Sequence, residues 1–262
     1  MHTALIMLWF LLFIFLPFTG IGDPSTQNLT QRFLPLSLAH PLGTDSLGRD
    51  VLSRLLYGGR MSLGLSMLIV LCTAMIGTFL GVSSVFLDER KSKWWQSALD
   101  FFLSLPSLAV AISLIGILGP TIENLLLALC VTHWAEYARA TSSWVATELK
   151  MPYVSYAAFC GLHKRQVLWR EVFPNILSQL LLLTCQNFAD VLLTIAGLSL
   201  IGIGVPMQYP EWGTMLMSAR SYLQTEPLLM IFPGLAIFLT VLFLNLWSDA
   251  TRDLLDPYKH NA

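Results

Sequence analysis

Charge is scarce in this chain: Asp, Glu, Lys and Arg together make up 12% of its 262 residues, where soluble domains carry about 25%. With 55% hydrophobic residues and a mean hydropathy of +0.65, an ordinary soluble domain is excluded and an integral membrane protein is indicated. The net charge of -1 offers no basic surface for nucleic acid, so charge has to be read loop by loop. Cysteine is sparse as well. Cys72, Cys130, Cys160 and Cys185 form no CxxC pair, which removes both a zinc site and a disulfide framework from consideration. No G-x-x-x-x-G-K-[ST] string occurs, so nothing here cradles a nucleotide phosphate in that way. A Ser/His/Asp arrangement, an HExxH helix and a paired-carboxylate setting are missing too. The chain is therefore not read as an enzyme by itself and is expected to hold no cofactor or metal; if ATP drives it, another chain binds the nucleotide.

What is present is a succession of long apolar runs. A helix needs about 20 apolar residues to cross about 30 Å of hydrocarbon. Six stretches qualify, at about residues 3–19, 61–87, 99–118, 121–138, 173–205 and 228–247. The expectation is an all-α, polytopic membrane protein with six transmembrane helices. The first run lacks a basic segment before it and an A-x-A site before Gly20, so it reads as a retained span rather than a cleaved signal. The fifth is overlong, and Gly197, Gly202 and Gly204 allow a bend or close helix packing near its end. This divides the chain into a first transmembrane helix (1–19), an extracytoplasmic loop (20–60), a transmembrane core (61–248) with a cytoplasmic loop at 139–172, and a cytoplasmic tail (249–262).

Residues 139–171 form a polar island carrying Lys150, Lys164, Arg165 and Arg170. Each Lys or Arg at a bilayer centre costs about 2.5–3.5 kcal/mol, so the island lies in water. Its interior keeps helical spacing: Tyr153, Tyr156, Ala157, Cys160 and Val167 recur at three-, four- and seven-residue intervals. Such a helix either rests on the membrane interface or seeks a groove in a partner. With the N-terminus taken as cytoplasmic, ten Lys and Arg fall on the inner side and five on the outer, which puts both termini and the island inside.

Within the fifth span, Thr184, Asn187, Asp190 and Thr194 follow a three, three, four spacing along one helical face. An intramembrane carboxylate is a functional-site candidate by default, here meeting a cation or polar group of a passing solute. The competing reading is hydrogen bonding between helices. His133 and Glu136 share a face of the fourth span, but with no third ligand in view they read as packing residues, not a metal site. The long outside segment, with Pro24, Pro35 and Pro41, has the look of an ordered docking element. Asp45, Arg49 and Asp50 either meet a partner or lock that loop by salt bridges, and Glu211 and Trp212 start a short external helix.

Three strings carry a family resemblance: LGTDSLGRDVLSRLLYGGRMSL at 42–63, LSLIGIGVPMQYPEWGTMLMSAR at 198–220 and PGLAIFLTVLFLNLWSDATRDLLDP at 233–257. They resemble the binding-protein-dependent ABC importer permeases of the bacterial inner membrane, in particular the second permease of dipeptide, oligopeptide and nickel importers. The resemblance implies the type I importer permease fold and a heterodimer with a second homologous permease. It also implies two cytosolic ATPase subunits that bind ATP and Mg, and an extracytoplasmic solute-binding protein. The island is similar to the family's EAA loop, a coupling helix that docks in a groove of the ATPase. Gly161 and Pro174 take the glycine and proline positions, while Ser155 replaces the glutamate, Tyr156 the first alanine, and Ala157 keeps its type. Tyr153 to Val167, with Lys164 and Arg165, would then be the mechanical joint. THWAEYAR at 132–139 resembles nickel-type permeases, and Ile195-Ala196-Gly197 stands where peptide-type members often carry an acidic residue. The implied cargo is a nickel or cobalt complex with a small organic ligand (a metallophore), with a short peptide as the second choice. A secondary transporter would place several ionisable groups at membrane depth within inverted repeats, and no such repeat is evident.

Overall fold

The computed structural model describes Trp9, Leu11, Phe13 and residues 22–159 and 162–255, and over these it is helical, with no strand beyond one isolated bridge between Thr44 and Asp50. The helices are α1 (Val51–Ser84), α2 (Glu89–Ser104), α3 (Ser107–Leu118), α4 (Ile122–Glu148), α5 (Pro152–Phe159), α6 (Lys164–Val167), α7 (Phe173–Leu200), α8 (Trp212–Ala219) and α9 (Leu228–Leu255). Among the described residues, three stretches are long and apolar enough to cross a membrane: Val51–Ser84, Arg165–Leu200 and Leu228–Arg252. The pair α2 and α3 meets the same test only as one bent unit. The span read at 3–19 lies outside the described residues apart from three positions. There Trp9 Nε1 donates to Thr240 Oγ1 at 2.9 Å, and Phe13 packs edge-on against Trp212.

The third run is not one straight rod. α2 and α3 meet at 81° across Leu105 and Pro106. Proline disfavours helical geometry in the residue before it, and Leu105 duly takes an extended ψ of 133°. Apolar content alone hid this break. The fourth helix runs to Glu148, ten residues past the expected end at Ala138, because the cost of charge in hydrocarbon marks the bilayer edge and not the end of a helix.

Pro174 likewise ends nothing. α6 passes through a π-helical turn at Leu168–Val172 directly into α7, and the helical path is continuous from Arg165 to Leu200. A proline lacks the N–H that would close the usual i to i−4 bond, and the π turn absorbs that gap. At its far end α7 stops at Leu200 instead of bending: Gly202 sits at φ +87° just past the cap, and a Cβ on Gly204 would lie 2.4 Å from Ser199.

The core lies between α1, α4, α7, α8 and α9, around fully buried Ile69, Leu129, Leu192, Ile195 and Trp212. α1 and α4 come together at backbone distance. A Cβ on Gly77 would lie 2.4 Å from the Trp134 carbonyl and from Tyr137 Cβ, and one on Gly81 would lie 2.6 Å from the Ala138 carbonyl. This is a small-xxx-small contact, which lets dispersion and close packing hold helices together where lipid removes the hydrophobic drive. Large side chains left open elsewhere, such as Met75, Phe79 and Ile117, suit a surface facing acyl chains.

Gly77→Leu should therefore overpack this contact and cost about 1–3 kcal/mol. Gly64→Ala, whose new Cβ meets nothing within 4 Å, should leave stability close to the parent. Thermal melting of both variants in the same detergent checks the contrast, and equal melting temperatures would remove Gly77 from the α1–α4 contact.

Candidate functional site

α7 carries its polar residues to α4 and to the break between α2 and α3. Asn187, Asp190 and Thr194 line one cavity of about 450 Å³ together with His133 and Glu136 from α4, and with Phe102, Leu105 and Ser107 from the break. Thr184 is not among its lining residues, and its hydroxyl donates to the Leu180 carbonyl at 2.7 Å. Thr194 donates to the Asp190 carbonyl at 2.8 Å. The expected face of α7 is thus real for three of its four members.

Asp190 is exposed on the surface of this single chain although it sits well inside the 36-residue apolar path Arg165–Leu200. A carboxylate in that position faces water or another protein, not lipid. Asn187, one turn before it, is 2% exposed and lies beside Glu136 and Tyr137. His133 Nδ1 lies 2.9 Å from the Leu129 carbonyl. Since a carbonyl only accepts, Nδ1 carries the proton, and when the ring is neutral its lone pair is on Nε2. Among the described residues, no three His, Cys, Asp or Glu side chains are placed to hold a metal ion together. His133 and Glu136, read from sequence as packing residues, belong to the cavity. Their i, i+3 spacing was visible, but nothing in the chain order shows that α4 faces α7.

The island near the Glu148 end is two helices rather than one amphipathic helix over Tyr153 to Val167. α5 ends at Phe159 and α6 begins at Lys164. Gly161 lies outside the described residues. The apolar stripe is also different: Val154 and Val167 are buried with Val145, Leu168, Val172 and Ile176, whereas Tyr156 is 71% exposed. The break between α5 and α6 interrupts the register, so seven-residue spacing across the island does not keep one face. Ala157 is half-buried against the same cluster, Ser155 is on α5, Arg165 is exposed on α6, and Pro174 is in the first turn of α7. Tyr153 ties these pieces together. Its hydroxyl donates to Glu148 and accepts from Asn175 Nδ2 at 2.8 Å. Partial burial and then the bond to Glu148 raise the phenol above its usual range, which keeps it protonated as the donor.

At the opposite end the motif residues are engaged within the chain. Asp45 accepts from Arg49 Nε at 2.7 Å and lies 3.6 Å from Arg54 Nε. Asp50 caps α1 by accepting from Ser53 N at 2.7 Å, and His40 Nδ1 is 3.0 Å away. Glu211 and Trp212 are fully buried, so neither presents a side chain to an outside protein. Glu211 accepts from Ser62 Oγ at 2.9 Å and from Thr214 N at 2.9 Å, in a capping box that starts α8. Trp212 Nε1 donates to the Leu55 carbonyl at 3.0 Å.

Comparison with known proteins adds the following. Residues 73–260 match the family described as binding-protein-dependent transport system inner membrane component. The chain is 36% identical over 255 residues to a di/tripeptide transport system permease protein, DppC, of Pseudomonas aeruginosa, covering 95% of this chain and 84% of that one. It is 35% identical over 236 residues to the nickel transport system permease protein NikC of Escherichia coli K12, covering 90% and 85%. It is 34% identical over 254 residues to the probable D,D-dipeptide transport system permease protein DdpC of the same organism, covering 97% and 85%. In architecture it is similar to a chain of the MetNI methionine ABC transporter in an inward-facing conformation. There the TM-score is 0.64 at 15% identity, covering 78% of this chain and 96% of that one.

Tyr153→Phe should remove one donor and one acceptor at the Glu148 junction, at about 1–2 kcal/mol. Local opening of α5 then rises by about 5- to 30-fold. Amide hydrogen exchange over residues 152–159 reads this directly, and unchanged exchange would mean that Tyr153 does not anchor the helix.

Proposed function

This chain belongs to the binding-protein-dependent transport system inner membrane components, the ABC importer permeases, and we propose that it passes a nickel or cobalt chelate, handed over by a solute-binding protein, through a path shared with a second permease. The observation that carries this reading is the cavity that sets Glu136, Asp190 and His133 around one space within the apolar helices. Two carboxylates and an imidazole attract a cation. Since they do not form a ligand set, the metal keeps the small organic ligand it arrives with. Asp190, exposed on the single chain, faces the shared path, where water or the second permease meets the charge.

The driving force comes from two cytosolic ATPase subunits. α5 and the start of α6, carrying Tyr153, Ser155, Tyr156, Ala157, Lys164 and Arg165, are the joint against which they push, with Gly161 between the two helices and Pro174 at the root of α7. Tyr156 supplies exposed aromatic surface for that contact. Both chain termini and this joint lie in the cytoplasm, and the Asp45 end faces outward. There Asp45, Arg49 and Asp50 hold the mouth in shape, while Glu211 and Trp212 support it from within. Di- or tripeptide import is the second reading, favoured by relatives of that name at 36% and 34% identity against 35% for the nickel permease.

Uptake by the full complex in vesicles tests this, with nickel–histidine, free nickel ion and dialanine as cargo. ATP-dependent uptake of the chelate above the free ion is expected, and ATP-independent flux would overturn the importer reading. Asp190→Ala should lower uptake by about tenfold or more, equivalent to about 1.4 kcal/mol. Gly161→Trp should leave ATP hydrolysis running while uptake falls, and normal uptake in that variant would remove Gly161 from the joint.

A further inference from the structure

At the Asp45 end the acids are fully committed and the cations beside them are not. Asp45 Oδ1 accepts from the amides of Leu47 and Arg49 at 2.9 and 3.0 Å, and its Oδ2 accepts from Arg49 Nε at 2.7 Å. Asp50 is held by Ser53 and His40, and Glu211 by Ser62 and Thr214. Arg54 in the first turn of α1 is left over. Its Nε lies 3.6 Å from Asp45 Oδ2, an ion pair too long for a hydrogen bond. Among the described residues its guanidinium makes no hydrogen bond, although Arg54 is only 3% exposed. Arg49, 8% exposed, gives Asp45 only the Nε of its side chain, so its two Nη groups are unspent as well. Two guanidinium cations thus share one carboxylate oxygen, and a buried charge short of a counterion is costly.

Both arginines line one cavity of about 530 Å³ whose lining holds neither Asp nor Glu. Gln27, Ser46, Gln208 and Ser221 add amide and hydroxyl donors to it that no hydrogen bond within the described residues uses. The planar guanidinium fork matches the paired oxygens of a carboxylate or phosphate, which an ammonium or a neutral molecule does not offer. The cavity also has a place in the fold. It lies between the loop that carries Ser46 and Arg49, the first turn of α1, and residues 214–222 on and after α8. We propose that this cavity is an oxyanion site, in which Arg54 and Arg49 hold a carboxylate or phosphate group that ties the extended loop before α1 to α8. The occupant supplies the counterion that the chain itself lacks there. Its source is either a small anion from solution or the headgroup of an anionic phospholipid, since both present the same oxygens. The site is separate from the cavity of His133, Glu136 and Asp190, with which it shares no lining residue.

Amide hydrogen exchange of the assembled complex reads this tie without measuring transport. With ionic strength held constant to separate binding from screening, phosphate or succinate in place of chloride should slow exchange over residues 44–50 and 214–222. The slowing should reach about tenfold at about ten times the dissociation constant, because protection grows with ligand concentration over Kd. Arg54→Gln should raise the concentration needed by about tenfold or more, as expected for losing a hydrogen bond to a charged group. Where that variant does not assemble, Gln208→Glu decides: a carboxylate supplied from the cavity wall should protect both segments without added anion and cancel the response. Nanodiscs separate the two sources. A lipid occupant protects the segments in phosphatidylglycerol discs before any anion is added, whereas a soluble occupant gives the same response in phosphatidylglycerol and phosphatidylcholine discs. Equal exchange in chloride, phosphate and succinate and in both kinds of disc overturns the site, and it leaves the importer reading untouched.

Discussion

Hydrocarbon tolerates neither an unpaired charge nor a free backbone amide, and most of what is unusual in this molecule follows from that one constraint. In lipid each such group costs several kcal/mol. Asp190, Glu136, Asn187 and the uncapped start of α3 could have been scattered along the helices. Instead they border a single space. Their convergence means that the cost is met once, by whatever occupies that space. At the Asp45 end the same constraint is met differently. Asp45, Arg49 and Arg54 pair among themselves, and Glu211 is satisfied entirely within the fold.

Much of the architecture was legible in the order of residues, because the signals used were local. Apolar runs marked the cores of α1, α4, α7 and α9, but the start of α1 at Val51, capped by Asp50, was not read and its run was begun at residue 61. The three-residue rhythm of Asn187 and Asp190 correctly put both on one side of α7. What escaped was whatever depends on two elements at once. Gly77 and Gly81 look like ordinary helix interior until Trp134 and Ala138 are seen against them. His133 and Glu136 gained their setting only from α7, and Tyr156 was counted into an apolar stripe that its neighbours do not cover.

Two prolines show the other limit. Pro106 breaks a run that composition presents as one span, while Pro174 breaks nothing because a π turn carries the helix past it. The residue type is the same in both cases. The difference lies in whether the preceding turn can widen, which Leu168 to Val172 does and Leu105, extended before Pro106, does not. Proline therefore marks where a helix is vulnerable, and the packing around it decides the outcome.

That unbroken passage through Pro174 has mechanical meaning. From Arg165 to Asp190 the chain is one helical path, about 38 Å long at 1.5 Å per residue. Tyr153 binds the root of this rod through Asn175 and binds the end of α4 through Glu148. The two helices that form the wall of the cavity, one bearing His133 and Glu136 and the other Asn187 and Asp190, are thus joined at the Tyr153 junction. α1 clamps α4 in turn through Gly77 and Gly81. A displacement applied at α5 reaches both walls without crossing a flexible loop. Packed helices have discrete arrangements rather than a continuous range, so in the proposed importer a push at α5 would carry the Glu136 and Asp190 walls together rather than one at a time.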